Sequence, residues 1–199
     1  MMTLFASTSS PYARKTRIVA RERNLDSQIE TVLVSPFENG PTADRLRAAN
    51  PLNKIPTLLL PSGEAIYDSR VICEYLDGLG DAPPLLPPGG SARVKCLTRV
   101  ALADGILDCA FNLVMERRRP QELQSADWTA RWDGNIRRAL AILSATATPD
   151  FDLGVIGAIC AVDYLEFRLA DRDYDVAAVR SALQSFHGRP SAVETRPRD

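Results

Sequence analysis

Four hydroxyl side chains in succession, Ser7, Thr8, Ser9 and Ser10, precede Pro11 and the helical pattern that follows it. Proline suits the first helical position and serine is a good N-cap, so Ser10 alone satisfies the helix entrance. Ser7, Thr8 and Ser9 read either as solvated loop hydroxyls or as auxiliaries to a site. A second helix entrance, Asp68-Ser69, offers exposed backbone donors and the positive end of a helix dipole, which together form an anion site. The plainer alternative there is an aspartate cap with a serine in the first turn. Lys54, Ile55 and Pro56 stand at the entrance of an apolar strand, Lys54 being an exposed cation beside a loop. His187 is the single histidine, which excludes an imidazole metal cluster, and it stands near a polar tail. Cys73, Cys96, Cys109 and Cys160 lie too far apart for a zinc knuckle or a disulfide framework and read as reduced thiols. Arg117-Arg118-Arg119 precedes Pro120, where cations complement a helix C-terminus; an anion site is the alternative.

These residues need elements to hold them. Thr3 to Ala6 predicts a strand and Pro11 onward a helix, with Ala13, Ile18, Val19 and Leu25 apolar and basic residues between them. Ile29 to Val34 alternates as a strand does, and Ala43 to Ala49 is helical until Asn50-Pro51. Thr57 to Leu60, a turn at Pro61 to Glu64, and Ala65 to Tyr67 form a hairpin, after which Asp68 caps a helix burying Val71, Ile72, Tyr75, Leu76 and Leu79. Gly80 to Gly90 is rich in proline and glycine and marks a boundary, giving domains at 1–79 and 91–199 with 80–90 as linker. Beyond it the periods are helical: Val94 to Glu116, Trp128 to Leu143, Val155 to Leu169 and Val176 to Phe186, with a polar tail or strap from Gly188. The order is βαβαββα, α/β and thioredoxin-like, followed by an all-α domain.

Composition narrows the function. With 199 residues and 45% hydrophobic content the chain sustains a substantial core. Lys and Arg total 24 against 25 Asp and Glu, so no global positive field favours nucleic acid or an anionic membrane surface. No apolar run approaches a membrane span of about 18 residues, and a cytoplasmic protein is expected.

Three motifs in this order, SSPYARKTR, NPLNKIPTLLL and YDSRVICEYL, resemble the glutathione S-transferase family, and the block ALADGILDCAFNLVMERRRP looks like the first helical-domain helix of a bacterial branch. The resemblance implies a homodimer that uses glutathione as cosubstrate and no metal. It puts Ser10 where relatives keep a catalytic cysteine or a serine that donates a hydrogen bond to the glutathione sulfur, with Ser9 as the auxiliary catalytic candidate. It implies a cis bond before Pro56, which leaves the backbone of Ile55 to pair with the cysteinyl part of glutathione. Lys54 would meet the glycine carboxylate, and Asp68 with Ser69 would hold the γ-glutamyl end. Asp104 is a cross-subunit candidate or else a buried capping carboxylate; Asp108, Asn112, Met115 and Arg118, three or four residues apart, are candidate walls for the second substrate, or else core or dimer contacts. The late core helix lacks the capping box of many relatives, with Gly154 and Gly157 in that stretch, and Asp152 is the expected cap. The implied activity is thiolate attack on a small hydrophobic electrophile or hydroperoxide; the alternatives are isomerisation or dehalogenation with the same thiolate, and a non-catalytic binding module. A serine at position 10 disfavours a mixed-disulfide mechanism, which needs a protein thiolate.

Overall fold

An apolar run too short for a helix opens the chain as β1 (Met2–Ala6), in which Leu4, Phe5 and Ala6 are buried. In the computed structural model, which describes residues 1–199, α1 (Pro11–Glu22) returns the chain so that β2 (Ile29–Leu33) pairs with β1 in parallel, as a parallel pair requires a crossover. After α2 (Pro41–Ala49), β3 (Thr57–Leu59) pairs with β1 antiparallel and β4 (Ala65–Ile66) pairs with β3 antiparallel. The sheet order is β2-β1-β3-β4, and α3 (Ser69–Leu79) packs against α1. This is the thioredoxin-like unit expected.

The chain divides into two units, residues 1–86 with 193–199, and residues 87–192. The helical part therefore ends before residue 199, and the segment expected as a linker belongs to the first unit as far as Leu86. The cause is a buried ion pair. Arg23 Nε lies 3.2 Å from Asp77 Oδ1, and its guanidinium also donates to the carbonyls of Asp77 and Gly80. The two Asp77 oxygens accept from the Leu85 and Leu86 N–H groups at 2.7 and 3.0 Å. A Cβ on Gly80 would stand 2.3 Å from the Arg23 carbonyl oxygen, so this glycine permits a close approach of two backbones.

Residues 193–199 lie along α1. Glu194 pairs with Arg21 at 2.5 Å, Thr195 Oγ1 accepts from Arg14 Nε at 3.3 Å, and the Arg198 N–H donates to the Thr8 carbonyl at 3.4 Å. Arg14 is thereby 2% exposed, and the neighbouring Lys15 is also buried. The tail is a strap.

In the second unit α4 (Gly90–Arg117) packs against both α5 (Ala126–Ala145) and α6 (Leu153–Leu169). α6 is buried from Leu153 through Val162. Asp152 caps it, its Oδ1 accepting from Val155 N–H at 3.0 Å while the carboxylate pairs with Arg99. A Cβ on Gly157 would sit 3.1 Å from Ala103 Cβ, and one on Gly154 2.8 Å from Arg99 Cβ, so these glycines let α6 approach α4. The single helix expected over 176–186 is broken into α7 (Ala177–Ala182) and α8 (Gln184–His187), and α9 (Pro190–Glu194) leads into the strap. Arg117 and Arg119 pair with Asp171 and Glu116 at the end of α4, at 3.0 and 3.5 Å. No helix is long and apolar enough to cross a membrane.

Candidate active site

Strand register gathers the candidate residues of the first unit. Phe5 faces Thr57, so the chain leaving β1 toward Ser10 and the chain entering β3 through Ile55-Pro56 meet at one end of the sheet. Leu58 faces Ile66, so β4 leaves at that same end and delivers Asp68 and Ser69. Three loops that are distant from one another in sequence, at Ser10, Ile55-Pro56 and Asp68-Ser69, converge there.

At the first loop Ser10 is half-buried and caps α1, its Oγ accepting from the Ala13 N–H at 3.2 Å. Its own N–H donates to Ser7 Oγ at 3.1 Å. Ser7 thereby fixes the backbone that aims Ser10, a role its position three residues upstream allows and that a solvated hydroxyl would not have. Ser9 is also half-buried, in the loop between Ser7 and Ser10.

The second loop carries a cis Ile55–Pro56 bond. No hydrogen bond of the chain engages the N–H or C=O of Ile55. Pro56 is buried, and Lys54 is exposed at its side chain while its carbonyl is held by Asn50 Nδ2 at 3.2 Å and Thr57 Oγ1 at 2.8 Å. Asn50 and Thr57 also bond each other at 2.9 Å, both buried. This pair was not foreseen in the sequence, although an Asn at a helix end and a Thr just past a proline are both residues that bond neighbouring backbone. Asn53 adopts φ 49°, a left-handed conformation that Asn tolerates, and its Nδ2 donates to the Pro36 carbonyl at 2.9 Å.

The third loop starts α3. Asp68 Oδ1 accepts from the Arg70 N–H at 2.9 Å, and the Tyr67–Asp68 bond is cis, a feature with no mark in the local sequence. Ser69 is 3% exposed and makes no hydrogen bond through N–H or Oγ. The first turn of an eleven-residue helix therefore presents backbone and hydroxyl donors with the positive end of its dipole behind them.

The remaining candidates belong to α4 in the second unit. Asp104 is buried at 4% exposure, Asp108 and Asn112 are exposed, and Met115 is half-buried with its sulfur 4.0 Å from Arg118 Nη1. In chemical terms the first unit holds one hydroxyl at a helix entrance, one strand-like pair of free backbone groups, and one anion-accepting helix end. That combination suits an extended peptide-like ligand with a carboxylate at one end and an anionic or nucleophilic atom at its middle.

Known proteins share the fold. The N-terminal domain of glutathione S-transferases, as a family model, matches residues 9–79. The chain is 33% identical to the uncharacterized GST-like protein YibF of Escherichia coli K12, over 98% of each chain. A glutathione transferase family member from Pseudomonas fluorescens Pf-5, solved with bound glutathione, is 36% identical and superposes with a TM-score of 0.91 over 100% of both chains. A glutathione S-transferase from Methylobacillus flagellatus KT with glutathione bound gives the same TM-score at 34% identity, again over 100% of both. The chain belongs to the glutathione S-transferase family.

Proposed function

We propose that the protein is a glutathione transferase of serine type. The observation that carries this reading is the convergence, at one end of one sheet, of the Ser10 hydroxyl, the unengaged Ile55 backbone and the Ser69 donors. The cysteinyl part of glutathione pairs with Ile55 as an added strand would. The γ-glutamyl carboxylate sits at the Ser69 N–H and hydroxyl, and the second Asp68 oxygen takes the glutamyl ammonium. Lys54 meets the glycine carboxylate. Ser10 then donates its hydroxyl proton to the sulfur and favours the thiolate, which attacks a small hydrophobic electrophile or a hydroperoxide. The reading includes a homodimer in the cytoplasm; Val71 and Leu79 on α3, expected on its buried side, are instead exposed, surface of the kind a second copy would cover.

The test is a pH titration of bound glutathione followed by thiolate absorbance in the ultraviolet, for the parent and for Ser10→Ala. A thiol pKa depressed in the parent and restored in the variant supports activation by Ser10. Binding with an ordinary thiol pKa in both overturns activation and leaves a glutathione-binding module.

A further inference from the structure

Three arginines converge on the β2 side of the first unit, at a cavity that the loop before Ser10 reaches only through Thr8. Arg17 and Arg21 project from α1, and the strap brings in Arg198; together they line a cavity of about 240 Å³. Arg21 is engaged, pairing with Asp26 at 3.2 Å and Glu194 at 2.5 Å. Arg17 is half-buried and neither hydrogen-bonds nor ion-pairs with any group of the chain, and the side chain of Arg198, which is exposed, is likewise unpaired. Burial, followed by the like charges of Arg21, Arg198 and Arg14, drives the Arg17 pKa down, against a weaker pull from Asp26. Arg17, Arg21 and Arg198 outnumber the carboxylates of Asp26, which lines the cavity, and Glu194, so an excess of positive charge remains that an anion in the cavity would offset.

The walls restrict what the anion can be. Leu4, Ile29 and Leu33 supply an apolar side, while Thr8 and Thr31 supply hydroxyls near the arginines. The volume is below the ~300 to 1,000 Å³ of sites for drug-sized molecules and equals roughly eight waters at ~30 Å³ each. Guanidinium forks bind carboxylate and phosphate oxygens in pairs. We propose that this cavity binds a small organic oxyanion, with its charged head between Arg17 and Arg198 and a short apolar body against Leu4, Ile29 and Leu33. The site shares no residue with the glutathione groups, so the proposal stands whether or not that reading holds.

Calorimetric titration of the full chain at constant chloride tests it, with phenyl phosphate, benzoate and inorganic phosphate as probes and glutathione titrated separately. Saturable binding of phenyl phosphate or benzoate at millimolar concentration is expected, weakened roughly ten- to hundred-fold in Arg17→Gln, as loss of one charge-assisted contact implies. The tighter of the two organic probes identifies the head group. Arg198→Gln, on the strap, is expected to weaken binding in the same range, and neither variant should change the glutathione isotherm. Without ligand, Arg17→Gln should melt higher than the parent because a repelled cation is gone. Absence of saturable binding overturns the proposal, as does binding undiminished in both variants or inorganic phosphate binding as tightly as the organic probes. An unliganded Arg17→Gln that melts below the parent also overturns it.

Discussion

On the proposed reading, Ser10→Ala should not simply slow the reaction; it should move the pH dependence of the rate so that the two profiles cross. A free thiol has a pKa near ~8.5, leaving about 3% thiolate at neutral pH. One charge-assisted hydrogen bond from Ser10 is worth about 1.5 to 3 kcal/mol, or roughly one to two pKa units, with the α1 N-terminus adding about 0.3 to 1 kcal/mol. For a two-unit shift, loss of the hydroxyl lowers the thiolate fraction at pH 7 roughly 25-fold. Nucleophilicity changes in the opposite sense, because a Brønsted slope of about 0.4 to 0.5 makes the more basic thiolate about eight-fold more reactive. The net loss at pH 7 is therefore only about three-fold, the profiles cross near pH ~7.6, and at higher pH the variant is the faster enzyme.

The assay is the second-order rate with a simple chromogenic electrophile across pH 6 to 10, at saturating glutathione. Because Ser10 Oγ accepts from Ala13 N–H, the variant also loses a cap worth about 1 kcal/mol, a fall of roughly 2 to 4 °C in Tm, which must be measured beside the rates. Ser10→Asp separates the two effects: aspartate caps well but carries no proton to donate and repels a thiolate, so stability is kept while the thiol pKa rises. Profiles that stay parallel, with the variant slower by one factor at every pH, would refute sulfur activation by Ser10. Superimposable profiles would reduce Ser10 to a helix cap.

Asp77→Asn leaves Arg23 buried without its carboxylate and loosens Leu85 and Leu86, so about 3 kcal/mol should be lost, or roughly 6 to 12 °C in Tm by calorimetry; a change under about 2 °C would mean that the pair holds nothing. The buried Cys96 thiol, pushed up to about 11 by burial and the nearby Asp152, keeps its proton in the folded chain after the unfolded chain has released it. Stability is therefore full below pH ~9 and falls as pH rises toward 11, by about 2 to 3 kcal/mol in total, and urea melts of Cys96→Ala should show a shallower alkaline decline than the parent. Gly154→Ala forces a Cβ to within 2.8 Å of Arg99 Cβ and 3.1 Å of Asp152 Oδ1, disturbing both the α6 cap and its ion pair, and should lose about 1 to 2 kcal/mol in a denaturant melt. Gly157→Ala meets Ala103 Cβ at 3.1 Å and Val100 Cα at an ordinary 3.9 Å, and gains about 1 kcal/mol of helix propensity in return, so it should be close to neutral.

The order of elements was legible because periodicity and turn residues are local properties: Ser10, Asp68 and Asp152 were assigned as caps from neighbours a few residues away, and each accepts the expected N–H. The cis Ile55–Pro56 bond came from resemblance alone, since spacing favours trans. What could not be read depends on distant chain. The burial of Arg14 depends on Thr195, 181 residues away, folding along α1, and Gly80 looks like a linker residue until Arg23 crosses beneath it. Asp77 was hidden for the same reason: on its own helix nothing marks it as the acceptor for two amides of the next segment.

The crowding of hydroxyls before Pro11 follows from what one oxygen can do. A serine hydroxyl has one proton and two lone pairs. At Ser10 a lone pair is committed to the Ala13 N–H, which leaves the proton free to point elsewhere, while Ser7 Oγ takes the Ser10 N–H and holds the residue in its extended cap conformation. Capping and sulfur activation are therefore not rival readings of Ser10, because they use opposite ends of the same O–H group. Capping fixes where the oxygen lies, and an oxygen so fixed gives its proton a narrow range of directions, so the cap acts as the positioning device for the donor. A mobile serine would lose rotamer freedom on each binding event; Ser10 has already lost it to the helix. The same logic explains why Ser69, which opens α3 without being its cap, has both N–H and hydroxyl unengaged within the chain: Asp68 takes the capping task from it.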